Sequence, residues 1–273
     1  MKTLFVTDLD GTLLTPDKNL SERTVSIING LLDRGMLFAV ATARSPATAA
    51  PILSSLRLSL PAVLLNGVFL YDLKEKQYLD CETIPQEAAR AVLAVMEGAG
   101  RLPFLYSMED ELCVEYVKLY NREEEAFYRE RVGRSYKRFA RVERLEVGPE
   151  KRVVFFSMQD QKERLLPILN EVERIPGLRT AFYRDNYSEN YFLEIFSERA
   201  SKRSGVEKLQ RLCGAERVIA FGDNMNDLDM LSLADEGYVV ENGADAVKKL
   251  ATGVIGPNTA DAVAEFLRKW HNY

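Results

Sequence analysis

The sequence predicts an α/β fold: a doubly wound parallel-sheet core interrupted by an inserted α+β domain. Three observations predict it. Both ends of the chain alternate short continuous apolar runs with amphipathic helical stretches, the pattern of a parallel sheet covered on both faces. The middle holds more strand-like than helix-like stretches, and many of its strands alternate apolar with polar residues, as an antiparallel sheet with one covered face would. Four apolar runs at the two ends each close on a small cluster of Asp, Asn, Thr or Gly, where open α/β sheets place their ligands.

The first apolar run, 4–7, ends at Asp8-Leu9-Asp10-Gly11. Residues 21–34 follow with Val25, Ile28, Leu31 and Leu32 at helical spacing, Ser21 suited to the N-cap and Gly35 to the C-cap. A second run, 37–41, closes on Thr42-Ala43-Arg44, and Ser45-Pro46 then opens a helix as N-cap and first-turn proline. The third run, 62–65, ends at Asn66-Gly67. From 83 to 196 the character changes. Helices are expected over 85–98, 122–132 and 162–174, and strands over 104–107, 112–117, 153–158, 179–183 and 191–196. The first style then returns, with a helix over 202–212, a strand over 218–221, a helix over 227–234, a strand over 238–240 and a closing helix over 259–270. That last helix begins acidic (Asp261, Glu265) and ends basic (Arg268, Lys269), as its dipole favours. The expected division is a discontinuous core, 1–82 and 197–273, around an inserted domain, 83–196.

Composition narrows the chemistry. The 273 residues carry 36 Lys+Arg against 41 Asp+Glu, a net charge of −5, which argues against nucleic acid as a partner. Cys81, Cys113 and Cys213 are too few and too scattered for a disulfide framework or a thiolate zinc site. The single histidine, His271, sits near the C-terminus, where a solvated tail residue is the simple expectation. Acid and base groups of an enzyme are therefore expected to be carboxylates. The opening apolar stretch is broken by Asp8 and Asp10, unlike a signal peptide, and no run of 18 apolar residues suggests a membrane span. A cytoplasmic protein, a monomer or weak homo-oligomer, is expected. The charge-dense region 118–152, with Glu123-Glu124-Glu125 and the basic stretch from Arg134 to Arg144, reads as a solvated helix face and loop, or else as a contact surface for an anionic substrate.

Each strand-end cluster has a plain and a chemical reading. Asp8 and Asp10 at i and i+2 face the same side and repel one another, so they either cap the strand or share a cation, with Gly11 turning the chain away. Gly222-Asp223-Asn224-Met225-Asn226-Asp227 repeats the theme across a strand-to-helix turn: a polar helix start, or two carboxylates aimed at one hard ion, Mg²⁺ where phosphate is also bound. Thr42 and the following backbone N–H groups suit a helix cap or an anion site. Asn66-Gly67 can donate hydrogen bonds or simply turn the chain. Lys202, alone a surface lysine, gains meaning as the cation of a site rich in Asp.

Together these motifs resemble the haloacid dehalogenase-like (HAD) superfamily of phosphohydrolases, over essentially the whole chain. Asp8-Leu9-Asp10-Gly11-Thr12-Leu13 matches the first motif, and Thr42, Lys202 and Gly222-Asp223-x-x-Asn226-Asp227 stand in the other three places in order. Ala41-Thr42-Ala43-Arg44 and Asn66-Gly67 look like the Cof-like sugar-phosphate phosphatase branch, with a Rossmann-like core and a large α/β cap. Arg203-Ser204 departs from the Gly-Thr that often follows the motif lysine.

The resemblance implies an Mg²⁺-dependent phosphatase acting on a small phosphorylated metabolite. It implies that Asp8 is the nucleophile and forms an aspartyl-phosphate, and that Asp10 protonates the leaving alcohol and then helps deprotonate water. Mg²⁺ would be held by Asp8, the Asp10 carbonyl and Asp223, with Asp227 on the ion or just behind it. Thr42 and the Ala43 N–H would hold phosphoryl oxygens, Lys202 would neutralise Asp8 and phosphate, and Asn226 would orient a phosphate oxygen or Lys202. Arg44, Asn66 and Gly67 complete the expected substrate-binding set. Hexose and pentose phosphates lead as substrates, with flavin and pyridoxal phosphates beside them, and the cap residues 83–196 would choose among them. A phosphomutase using the same aspartyl-phosphate and a non-catalytic sugar-phosphate sensor are the alternatives.

Overall fold

A computed structural model describes residues 1–109, 111–133, 137–185 and 188–271. The chain divides into two units. The first joins Met1–Asp80 to Ser201–Tyr273, and the second is Cys81–Ala200.

The first unit is built on a five-stranded parallel sheet in the order β14-β13-β12-β1-β2. Its strands are β1 (Thr3–Thr7), β2 (Leu37–Val40), β12 (Arg217–Gly222), β13 (Glu236–Val240) and β14 (Gly253–Ile255). Successive side chains point to opposite faces, so the apolar run of β1 serves two cores at once. Leu4 and Val6 enter one core with Val206, Leu209, Val218, Ala220, Met230 and Val239, beneath α6 (Lys202–Cys213) and α7 (Leu228–Leu233). Phe5 faces the opposite way, edge-on to Trp270 with ring centroids 6.0 Å apart. On that side Phe266 of α9 (Ala262–Trp270) packs 5.2 Å from Phe221, and α9 packs along α1 (Glu22–Leu32). The sole histidine, His271, is exposed at the end of α9 with its ring 6.1 Å from that of Phe5. The short α8 (Asp245–Lys248) precedes β14, and α2 (Pro46–Leu53) follows β2 with Ser45 at its N-cap and Pro46 in its first turn.

The third apolar run behaves differently from a plain parallel strand. As β3 (Ala62–Leu64) it pairs antiparallel with β4 (Phe69–Asp72), and β5 (Gln77–Cys81) completes a separate three-stranded sheet. An isolated parallel bridge between Ala41 and Val63 ties it to the core sheet. The turn after β3 is too tight to lead into a crossover helix, so the chain doubles back.

The second unit carries a six-stranded sheet in the order β10-β11-β9-β6-β7-β8. These are β6 (Phe104–Met108), β7 (Leu112–Tyr116), β8 (Arg138–Arg141), β9 (Arg152–Asp160), β10 (Leu178–Arg184) and β11 (Tyr191–Ser197). All pairings are antiparallel except β7 with β8, which is parallel. One face buries Leu105, Phe156, Met158, Leu193 and Ile195 under α3 (Gln86–Gly98) and α5 (Lys162–Val172). On the other, Phe127 and Tyr128 of α4 (Arg122–Arg131) pack among Phe104, Tyr116 and Phe139.

The expected solvated acidic face of this helix needs correction at one position. Glu124 is buried, held by Arg101 at 2.6 Å, and Arg101 also donates to Asp160 at 2.8 Å. A buried charge must be paired, and the partner comes from a loop 23 residues away in sequence. Arg134, in the expected basic stretch, lies outside the described residues.

Candidate active site

All the expected site residues lie in the first unit. Asp8 follows β1, and its backbone N–H continues the sheet by donating to the Phe221 carbonyl at 2.9 Å. The carboxyl ends of β1 and β12 therefore lie side by side, which brings Asp8 next to the turn carrying Asp223 and Asp227. Gly11 takes the left-handed φ of +81°, and a Cβ there would stand 2.5 Å from Asp223 Oδ2. Only glycine lets this turn pass so close to the second motif. Thr12 then donates from Oγ1 to Asp223 Oδ1 at 3.0 Å, and Asn242 donates from Nδ2 to the Gly11 carbonyl at 2.7 Å.

Lys202 is the centre of the charge arrangement. It is fully buried at the start of α6, and its ammonium meets Asp8 Oδ1 at 2.5 Å and Asp227 Oδ1 at 2.6 Å. Burial alone would lower its pKa, but the two carboxylates raise it above the ordinary lysine value, so the charge is held. The second oxygen of Asp227 accepts the backbone N–H groups of Asp223 and Asn224, each at 3.0 Å. Asp227 thus knits its own turn as well as gripping the lysine.

The helix start that delivers Lys202 explains the departure at Arg203-Ser204. Ser201 Oγ accepts the Ser204 N–H at 3.0 Å, and Ser204 Oγ accepts the Ser201 N–H at 3.1 Å, a reciprocal capping box. Ser204 does the capping work, and Arg203 points outward.

Asp8, Asp223 and Asp227 offer carboxylate oxygens that lie within 4.8 Å of one another. Burial, opposed by Lys202, pushes the Asp8 carboxyl up to about 7, and burial with the charge of Asp227 pushes Asp223 up to about 6. Three acidic groups held this close have more negative charge than one ammonium balances. The oxygen-only donor set fits a hard divalent cation. The Asp10 carboxylate is not among the three. It is exposed and turned to Arg44, which donates from Nε to Oδ2 and from Nη2 to Oδ1, both at 2.6 Å.

Thr42 is buried at the end of β2, its N–H on the Val63 carbonyl at 2.9 Å, while Ala43 is exposed beside it. The Thr42 hydroxyl accepts the Arg44 N–H at 3.2 Å. The turn after β3 answers this segment: Leu65 donates to the Arg44 carbonyl and Asn66 to the Thr42 carbonyl, both at 3.0 Å. Leu65, Asn66 and Gly67 all take positive φ, at 47°, 51° and 96°. The Asn66 side chain meets Asn226 at 3.5 Å. A Cβ on Gly67 would stand 2.0 Å from the Ser201 carbonyl oxygen, so this glycine admits the backbone that introduces Lys202.

Sequence reasoning passed over Asn242 and Asn258 as site supports. Asn258 donates its N–H to Asn242 Oδ1 at 2.9 Å and its side chain to the Leu14 carbonyl at 2.8 Å, tying the first motif to the last part of the chain. Their signal was weak, since isolated asparagines in loops are common.

Comparison with known proteins agrees with this geometry. The family of haloacid dehalogenase-like hydrolases matches residues 5–267. Pyridoxal phosphate phosphatase YbhA of Escherichia coli is 29% identical over 265 residues, covering 95% of each chain. The 5-amino-6-(5-phospho-D-ribitylamino)uracil phosphatase YitU of Bacillus subtilis is 27% identical over 286 residues, covering 98% of this chain and 97% of its own. In fold, a haloacid dehalogenase-like hydrolase from Bacteroides thetaiotaomicron matches with a TM-score of 0.75 at 22% identity, over 99% of this chain and 100% of that one. The strand-end aspartates and the buried lysine between them thus sit in a chain that belongs to the haloacid dehalogenase-like hydrolases, as an enzyme with phosphatase activity.

Proposed function

We propose that the protein is an Mg²⁺-dependent phosphatase that hydrolyses phosphomonoesters of small metabolites through an aspartyl-phosphate on Asp8. The observation that carries this reading is the juxtaposition of Asp8, Lys202, Asp223 and Asp227 at the carboxyl ends of β1 and β12.

In this reading one Asp8 oxygen attacks phosphorus in line, and the bond to the ester oxygen breaks. Asp10 gives its proton to the departing alkoxide. Asp10 then takes a proton from water as that water attacks the acyl-phosphate, releasing inorganic phosphate and restoring Asp8. The Thr42 hydroxyl and the Ala43 N–H hold phosphoryl oxygens, beside Arg44, Asn66 and Gly67. Lys202 balances the charge of Asp8 and phosphate, and Asn226 orients a phosphate oxygen. Asp8, Asp223 and Asp227, with the Asp10 carbonyl, would hold Mg²⁺, which would supply charge screening for an anion attacking an anion.

The substrate class follows from the Cof-like resemblance, with sugar phosphates leading. The two relatives named above add a second class, since pyridoxal and the ribitylaminouracil both carry a nitrogen heterocycle. The cap, residues 83–196, is proposed to read the leaving group. Among the described residues no helix is long and apolar enough to cross a membrane. A cytoplasmic monomer or weak homo-oligomer acting on a small phosphorylated metabolite, and not on nucleic acid, is the simplest reading. Release of p-nitrophenol from its phosphate ester in the presence of Mg²⁺ tests the activity, and persistent turnover by the Asp8→Asn protein would sink the nucleophile assignment.

A further inference from the structure

The loop that follows β13 grips the backbone of both halves of the carboxylate cluster. Asn242 donates from Nδ2 to the Gly11 carbonyl at 2.7 Å, and two residues later the Ala244 N–H donates to the Asp223 carbonyl at 2.8 Å. Gly243 between them is buried, and a Cβ there would stand 2.9 Å from that same Asp223 carbonyl oxygen. Three consecutive residues thus hold the turn after Asp8 and the turn after β12 together. The Asn242 carboxamide is used at both ends, since its Oδ1 accepts the Asn258 N–H at 2.9 Å. Asn258 is buried and donates from Nδ2 to the Leu14 carbonyl at 2.8 Å, which anchors the far end of the first loop.

This grip matters because the turn itself is soft. Asp10 has φ −73° and ψ 121°, and Gly11 has φ 81° and ψ −10°, the central angles of a type II turn. Glycine populates positive and negative φ about as readily, so Gly11 supplies no stiffness of its own. The peptide entering Gly11 carries the Asp10 carbonyl, and the peptide leaving it carries the carbonyl that Asn242 holds. The start of the loop is fixed to the sheet through the Asp8 N–H on the Phe221 carbonyl. With the outgoing peptide fixed as well, the Asp10 carbonyl between them keeps a single direction. Asn242 is exposed, so water can replace either of its bonds and the folded core does not depend on it. Its contribution is direction and spacing within the site.

We propose that Asn242 is a positioning residue for the divalent cation. By tying the Gly11 peptide to the segment that ties Asp223, it sets the spacing between the Asp10 carbonyl and the Asp223 carboxylate. The inference rests on the phosphatase reading, which supplies the cation. Mg²⁺ demands near-ideal distances and directions from its oxygen ligands, so the backbone that presents them must be held. Both bonds of the Asn242 side chain go to main-chain groups, so it acts through the loop and not on the ion. Removing an outer group that orients metal ligands weakens metal affinity by about 10- to 100-fold.

The test is isothermal titration of the full-length protein with Mg²⁺ at one pH, in the wild type, in Asn242→Ala and in Asn242→Leu, the last of nearly the same size. Asn29→Ala is the control. Asn29 of α1 makes the same kind of bridge, accepting the Arg57 N–H at 2.8 Å and donating to the Ser55 carbonyl at 2.9 Å, but it is buried and its partners are not in the site. The Mg²⁺ Kd is expected to rise about tenfold or more in both Asn242 variants and to stay within about twofold in Asn29→Ala. The melting temperature in EDTA is expected to fall more in Asn29→Ala than in Asn242→Ala, which separates positioning from general support. An unchanged Kd in both Asn242 variants, an equal rise in Asn29→Ala, or no Mg²⁺ binding by the wild type overturns the proposal. Mg²⁺ binding that weakens in the Asn242 variants alone, with no phosphate released from any ester by the wild type, removes the phosphatase reading and leaves the positioning role standing.

Discussion

Arg44 holds Asp10 by two parallel hydrogen bonds of 2.6 Å each, from Nε and Nη2 to the two carboxylate oxygens. The pair joins the loop after β1 to the loop after β2, 34 residues apart in sequence. Such a fork fixes the plane of the carboxylate as well as its position. A carboxylic acid accepts only one such bond well, so protonation of Asp10 would free one oxygen to turn toward a leaving group.

Replacing Arg44 by Lys keeps the charge and loses the fork. If Asp10 works as acid and base, kcat is expected to fall about 10- to 100-fold, with KM changing much less. Steady-state kinetics on a single ester decide this. A rise in KM at constant kcat would instead make Arg44 a simple substrate contact.

Lys202 separates two buried carboxylates. Lys202→Met is expected to cost about 3–5 kcal/mol of stability in the presence of a chelator, because Asp8 and Asp227 are left facing one another uncompensated. A divalent cation bound by the same carboxylates would replace part of the lost charge. Thermal unfolding with EDTA and with Mg²⁺ is therefore expected to show a larger stabilisation by Mg²⁺ in the variant than in the wild type.

Two glycines should respond in opposite directions to alanine. Gly67→Ala puts a Cβ against the Ser201 backbone at a φ of 96°, and is expected to destabilise by about 2–4 kcal/mol and to lower activity by displacing Lys202. Gly30, exposed in the last turn of α1 with nothing within 4 Å of its would-be Cβ, is expected to gain about 0.5–1 kcal/mol. Urea unfolding midpoints of the two variants measure both.

Glu194 sets a pH dependence in the second unit. Its folded carboxyl titrates near 7, above the ordinary value of 4.5. The native state then binds the extra proton between those two values, and stability falls as pH rises through them. Below about 4.5 the carboxyl is protonated in both states and carries no penalty; above about 7 the penalty is complete. Glu194→Gln is thus expected to match the wild type near pH 4.5 and to exceed it by roughly 1–3 kcal/mol at pH 8. Denaturant unfolding at the two pH values checks the sign.

The sequence makes some of this architecture visible and conceals the rest for physical reasons. Continuous apolar runs ending in Asp mark β1 and β12 plainly, because a buried parallel strand must be apolar throughout and its carboxyl end must not. Gly67 reads locally as a turn residue. Its close approach to Ser201 is a contact between distant segments that no local pattern encodes. The hairpin of β4 and β5 passes unnoticed because β5 is largely exposed and carries no apolar rhythm. Arg138–Arg141 looks like part of a charged loop, and becomes a strand only through pairing with β7. Glu124, in a run of three glutamates, gives no hint that one member turns inward to Arg101. The carboxylates and lysine of the site stand out because each ends or begins an element. Arg44 also stands out, but its partner does not, since a guanidinium reads equally well as a phosphate contact.

The insertion of the second unit between the halves of the first has a consequence for biosynthesis. Asp8 and Lys202 are 194 residues apart, so a ribosome exposes the would-be nucleophile long before its counterion exists. Throughout that interval β1 also lacks its neighbour β12, and the nascent chain has neither a finished sheet nor a grouped set of acids. The inserted unit, whose strands pair only among themselves, is free to fold first. Catalytic competence is thereby the last property acquired on the ribosome, withheld until the turn bearing Asp223 and Asp227 has emerged.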